Sequence, residues 1–189
     1  PAGELLEERK IPTPALVDET AYAVVTDGIG KILAAHDAGA DDVIACGLDI
    51  PGPVADDGTV GLLPNIELDP DGLVGALTAA YPNATTAFVN DANAAALGEM
   101  WAGVAQGVSS YVLIALGTGV GAGVVANGRL VAGAFGSGGE IGHVTVNYDE
   151  TLVCGCGRRG CLEQYASAKG IVRLYLEACE KRGVKPVEI

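Results

Sequence analysis

A chain of 189 residues can hold one good-sized domain or two small ones, and a hydrophobic content of 49% with a mean hydropathy of +0.34 is ample for a packed core. No apolar run approaches the roughly 18 residues of a membrane span, and the first residues lack the charged, apolar and small regions of a secretory signal. A net charge of −13 and an isoelectric point near 4.3 argue against binding of a nucleic-acid backbone by this segment and favour a small neutral ligand, or an anion whose charge a metal carries. A cytoplasmic enzyme with neither a membrane nor a nucleic-acid partner is the expectation. Pro1 stands without an initiator Met, and the chain stops at Lys185-Pro186-Val187-Glu188-Ile189 just after a helical pattern, so the sequence reads as a piece of a longer protein.

In chain order, Leu5 to Pro12 reads as a strand in need of partners, closed by Pro12-Thr13-Pro14. Ala15 to Ala38 has apolar positions at helical spacing and predicts one long amphipathic helix, interruptible at Gly28 and Gly30. Asp41-Asp42 turns the chain into a buried strand over Val43 to Leu48, stopped by Pro51-Gly52-Pro53. Loop and a short strand fill Val54 to Leu68, and Asp69-Pro70-Asp71 opens a helix over Gly72 to Tyr81. Thr85 to Val89 is a second short strand, and an Ala-rich helix runs from Ala92 to Trp101. Alternation of strand and helix gives an α/β layout.

A second unit begins with a strand over Ser110 to Leu116, a glycine turn over Gly117 to Gly121, and a returning strand over Ala122 to Ala126. Asn127-Gly128 is a strong hairpin signal before Arg129-Leu130-Val131. Tyr165 to Lys181 reads as a terminal helix. The halves are divided as residues 1–91 and 92–189, with a cleft expected near Asn90-Asp91, since ligands bind at carboxyl ends of strands in open α/β sheets.

The densest chemistry lies between residues 138 and 163. One of two His residues and three of five Cys fall there, as His143, Cys154, Cys156 and Cys161. Together they make a Cys₃His set suited to structural zinc, with glycines at 155, 157 and 160 permitting tight turns. The alternative is a disulfide plus a spare thiol, which a reducing compartment disfavours. Glu140 and Glu163 flank the ligands and would be drawn towards one place. Asp91 at a strand end is a candidate general base or, equally local in its logic, a helix cap. The run Gly117-Thr118-Gly119-Val120-Gly121 could cradle phosphate with bare N–H groups, or be a glycine-rich hairpin.

These motifs together resemble the ROK (repressor/open-reading-frame/kinase) family, closest to its bacterial glucokinases. The residues that carry the resemblance are Gly47 to Val54, Val89 to Glu99, Leu116 to Gly121, Gly139 to His143, and the cysteine loop running into Leu162 to Ser167. The resemblance implies an incomplete actin-like, ribonuclease-H-like two-domain α/β sugar kinase fold that closes over a hexose and ATP. By position, Asp91 looks like the base for the sugar's 6-hydroxyl. Asn90, Asp91, Glu140, His143 and Glu163 look like sugar contacts, and Gly117, Thr118 and Gly119 like part of the phosphate turn. His143, Cys154, Cys156 and Cys161 match the family's structural zinc ligands, and Mg²⁺ would accompany ATP. The family's Asp-x-Gly-Gly-Thr turn and its carboxyl-terminal adenosine segment have no match here. The segment alone is therefore expected to be catalytically poor. The resemblance leaves open a sugar-sensing repressor, other hexoses such as N-acetylmannosamine or fructose, and polyphosphate as donor; it also implies a homodimer in the complete protein.

Overall fold

A computed structural model describes residues 3–63 and 66–187. The first helix, α1 (Glu19–Ala35), starts where Asp18 accepts a hydrogen bond from the Ala21 N–H at 2.9 Å, and neither Gly28 nor Gly30 breaks it. A 3₁₀ turn over Ala40–Asp42 leads into β1 (Ala45–Ile50). Helix α2 (Pro70–Ala80) has the start its sequence announces, with Asp69 as cap and Pro70 in the first turn, where its missing N–H costs nothing. Strand β2 (Thr85–Asn90) pairs parallel with β1, in register from Ala45 opposite Thr85 to Ile50 opposite Asn90.

The first core forms where α1 and α2 meet. Tyr22, Leu73, Leu77 and Tyr81 are buried together, with Ile29, Leu48 and Phe88 packed around them. Its two tyrosines keep their hydroxyls satisfied. Tyr22 donates to Asp69 Oδ2 at 3.0 Å, and Tyr81 donates to the Thr26 carbonyl at 2.7 Å.

Helix α3 (Asp91–Ala102) follows β2 without a linker and lies on the second sheet. That sheet has the order β3 (Tyr111–Leu116), β4 (Val120–Ala126), β5 (Arg129–Leu130), all antiparallel. The close approach of α3 to β4 requires Gly123, where a Cβ would stand 2.8 Å from the Ala92 carbonyl oxygen. Asn127 and Gly128 both take positive φ, 52° and 73°, as the expected two-residue hairpin turn demands. The chain then runs through a 3₁₀ turn over Ile141–His143 and the cysteine loop into α4 (Glu163–Ala166) and α5 (Ala168–Arg182).

Three expectations change. Leu5 to Pro12 forms no strand: it has no ladder partner, and Leu5 and Leu6 are exposed. The terminal helix is two helices, because Ser167 adopts extended backbone and caps α5 through the Gly170 N–H at 3.1 Å. Between 54 and 68 only isolated bridges occur, Val54 with Val60 and Leu68 with Leu16, and Pro64 and Asn65 of that stretch lie outside the described residues. Pro1 at the start and Glu188-Ile189 at the end lie outside them too.

Candidate functional site

The loop from 143 to 161 folds its thiols together by short local turns. Cys154 N–H donates to the Arg158 carbonyl at 2.7 Å and Gly157 N–H to the Cys154 carbonyl at 2.8 Å, closing a tight turn around Cys156. Gly157 at φ +83° and Gly160 at φ +70° hold conformations that cost a side-chain-bearing residue strain. A bridge between Thr145 and Cys161 brings the third thiol back beside His143, and the Arg158 guanidinium donates to the His143 carbonyl.

The ligand atoms of His143, Cys154, Cys156 and Cys161 all lie within 4.8 Å of one another. Cys154 Sγ is 3.7 Å from His143 Nδ1, and Cys156 Sγ is 3.6 Å from Cys161 Sγ. Tetrahedral zinc with bonds of about 2.3 Å to sulfur needs S···S edges of about 3.8 Å. Burial pushes the Cys161 thiol up, and its neighbours Cys156 and Cys154 push it further. At Cys156 burial also resists ionisation, but hydrogen bonds from Arg158 and from the other two thiols outweigh it and bring the group down. Three thiolates cannot crowd one point without a cation, and this donor set fits Zn²⁺.

Two carboxylates converge on the same cluster. Glu140 Oε2 is 4.0 Å from His143 Nε2, so the ring faces the thiols with one nitrogen and an acid with the other. Glu163, at the start of α4, has Oε1 at 3.9 Å from Cys154 Sγ, while its Oε2 accepts from the Val120 N–H at 3.1 Å. The segment bearing Glu140 and His143 can lie this close to β4 because Gly139 and Gly142 have no Cβ; one there would strike the Ala122 and Val120 carbonyls.

The glycine turn is the backbone of a hairpin, with Gly117 N–H bonded to the Gly119 carbonyl at 3.0 Å and its own carbonyl accepting from Ala168 N–H at 2.9 Å. The N–H groups of Thr118 and Gly119 donate to no acceptor among the described residues. Asn90, not Asp91, caps α3, accepting from the Asn93 N–H at 3.1 Å, and its amide also donates to the Gly52 carbonyl at 3.2 Å. Asp91 is exposed, and its only side-chain bond among the described residues is from the adjacent Ala92 N–H at 2.8 Å. No hydrogen bond joins Asn90 or Asp91 to Glu140, His143 or Glu163 among the described residues. Ala92 faces Gly121, whose Cβ would lie 3.1 Å from that of Ala92, so the start of α3 abuts the hairpin.

Sequence reasoning gave no role to the residues behind the loop, although Gln164 and Tyr165 lie in the stretch that carries the family resemblance. Gln164, Tyr165, Asn147, Glu150 and Arg173 form a bonded layer under it. One local signal existed: Gln164 stands three residues after Cys161 at a helix start, where an amide can reach back to the N–H, as it does at 3.2 Å.

Comparison with known proteins gives this site a family. The model of the ROK family matches residues 1–189. The chain belongs to the ROK family. It is 40% identical over 181 residues to a glucokinase of Halalkalibacterium halodurans, covering 93% of this chain and 54% of that protein. It is 32% identical over 174 residues to the DNA-binding transcriptional dual regulator NagC of Escherichia coli, covering 90% of this chain and 42% of the regulator. A ROK glucokinase from Streptomyces griseus, solved with glucose and AMPPNP, superimposes with a TM-score of 0.71 at 34% identity, covering 96% of this chain and 56% of that one. The chain thus spans about half the length of the glucokinases it matches. Its fold is the family's mixed α/β kinase fold with open sheets, as the resemblance implied. No described helix is long and apolar enough to cross a membrane.

Proposed function

We propose that the protein is a cytoplasmic ATP-dependent hexokinase of the glucokinase type, converting glucose to glucose 6-phosphate. The observation that carries this reading is the uncommitted carboxylate of Asp91. A neighbouring amide does the capping, so the acid stands at the carboxyl end of a parallel strand pair with Oδ1 on the Ala92 N–H and Oδ2 unbonded among the described residues. Asp91 takes the proton from the 6-hydroxyl as that oxygen bonds to the γ-phosphorus, and the bond to the bridging β–γ oxygen breaks to release ADP.

Asn90, Glu140, His143 and Glu163 hold ring hydroxyls. Asn90 retains one amide hydrogen beyond its bond to Gly52, and Glu140 and Glu163 accept from sugar hydroxyls. His143, Cys154, Cys156 and Cys161 hold Zn²⁺, which when bound neutralises the thiolates and fixes the loop. His143 thereby orients its second nitrogen towards the sugar side. The turn Gly117-Thr118-Gly119 receives phosphate oxygens through the N–H groups of Thr118 and Gly119 and the Thr118 hydroxyl, with Gly117 closing the turn through its bond to the Gly119 carbonyl. The thiol cluster is too soft for Mg²⁺, and it is the one cluster of three or more His, Cys, Asp or Glu ligands among the described residues. Mg²⁺ would arrive on the phosphates of ATP, and no step here depends on a protein ligand to it.

The test is ADP release by the full-length protein, with glucose, fructose, mannose and N-acetylmannosamine offered in turn, beside Asp91→Asn. Turnover on glucose that falls about 10²–10⁴-fold in the variant, with sugar binding retained, is the expected result. Saturable sugar binding without turnover on any sugar would overturn it in favour of a sugar-sensing regulator, a reading that the likeness to the DNA-binding transcriptional dual regulator NagC supports.

A further inference from the structure

The metal loop has two arms, one leading into Cys154 and one ending at Cys161; backbone contacts between Val153 and Arg159 and between Cys154 and Arg158 join them near the turn, and the Gln164 side chain ties them together from behind. Gln164 is only 9% exposed. Its Oε1 accepts from the Cys161 N–H at 3.2 Å, and its Nε2 donates to the carbonyl of Leu152, two residues before Cys154, at 2.9 Å. Gln164 is itself held from behind. Its main-chain carbonyl accepts from Arg173 Nη2 at 2.8 Å, and that guanidinium lies over the Tyr165 ring and pairs with Glu177 at 2.6 Å. None of the bonds made by the Gln164 side chain goes to a sulfur atom. Both end on backbone beside the ligands, so they govern where the thiols stand and not what they bind.

The choice of an amide is chemically specific. One end must accept from an N–H and the other must donate to a C=O, which a carboxylate or a thioether of similar size cannot do. A burial this deep also makes each lost bond costly, because the orphaned backbone group has little water to turn to.

We infer that Gln164 is a positioning residue that presets the separation of Cys154 and Cys161 for the metal, so that metal affinity depends on its two hydrogen bonds. The inference rests on the metal reading above. A loop already braced at the right spacing binds without first being ordered, and removing such outer partners costs metal sites about 10–100-fold in affinity.

The experiment compares the protein with Gln164→Met, which loses both bonds, and Gln164→Glu, which keeps the acceptor for Cys161 and loses the donor to Leu152. Zinc affinity of each stripped protein is measured by competition with a chromogenic chelator, and melting temperature is recorded with and without zinc. The unmodified protein is expected to bind one zinc per chain, and both variants to bind it more weakly, the methionine variant by about 10–100-fold. The zinc-dependent part of the melting temperature should shrink in both. Unchanged affinity in both variants, with melting lowered equally in the presence and absence of zinc, would overturn the inference and leave Gln164 as a brace for α4 alone. Should the methionine variant fail to fold, the glutamate variant decides by the same two readings. Failure of the unmodified protein to bind zinc would overturn the metal reading itself.

Discussion

Gly170→Ala sets two opposed effects against each other. Gly170 lies in the first turn of α5, and alanine in a helix is better than glycine by about 0.8–1 kcal/mol. The space is the difficulty. A Cβ on Gly170 would stand 2.5 Å from the Gln164 carbonyl oxygen, 2.7 Å from its carbon and 3.0 Å from the Glu163 carbonyl oxygen. All three are backbone atoms of α4, so no side chain can swing aside. Relief to an ordinary contact of about 3.4 Å needs a shift approaching an ångström, and overpacking of this kind costs about 1–3 kcal/mol. Three backbone atoms crowded at once put the cost at the upper end of that range, so the clash wins by about 2 kcal/mol, a fall of roughly 4–8 °C in melting temperature for a chain of this size. Gly75→Ala is the matched comparison, since Gly75 is exposed in α2 with nothing near its missing Cβ. It should gain about 0.5–1 kcal/mol. Because α4 carries Glu163 and Gln164, the Gly170 variant should also weaken zinc binding, as the chelator competition would read. A Gly170→Ala protein as stable as the original, with unaltered zinc affinity, would refute the reasoning.

Metal removal and acid should each act in a defined direction. Stripping zinc with a chelator should lower the melting temperature and weaken glucose binding, measured by calorimetry, with recovery on zinc and none on Mg²⁺; full sugar affinity in the stripped protein would separate the metal from the sugar site. The carboxyls of Asp69, Asp57 and Glu150 lie below their ordinary values of 3.8, 3.8 and 4.5, through backbone N–H bonds from Gly72, Thr59 and Leu152 first and neighbouring hydroxyls second. Depressed folded values mean that their stabilisation is complete above the ordinary range and drains as pH falls through the lower folded ones. Urea midpoints should therefore drop from about pH 6 to about pH 3, and less steeply in Asp69→Asn.

What the sequence made legible was whatever is decided within a few residues. Asp69-Pro70 and Asn127-Gly128 set their own dihedrals, so the helix start and the hairpin were readable. The Cys spacing was readable for the same reason, being a property of one loop. Partners distant in sequence were not. Leu5 to Pro12 has strand-like residues, but a strand is a relation to a neighbour, and none lies beside it. The helical period across Tyr165 to Lys181 hid the break at Ser167, because periodicity counts apolar positions and the break is made by a hydroxyl and a close backbone contact at Gly170. Asn90 and Asp91 are equally good caps by type, and only the end of β2 at Asn90 decides which of them does it.

Glu163 shows how far the site's parts depend on one another. It is 43 residues from the Val120 N–H that it holds, a pairing no local pattern reveals. Its carboxylate lies between the thiol loop and the glycine turn, and a Cβ on Gly119 would push Glu163 Oε2 aside. An acid so placed bears on both sides of the reaction proposed here. Its oxygens are acceptors for sugar hydroxyls, yet its charge opposes a phosphate brought to the same turn. Hydroxyl donors from a bound sugar would offset part of that charge before phosphate approached. In a site built this way, sugar first and nucleotide second is the order that electrostatics favours.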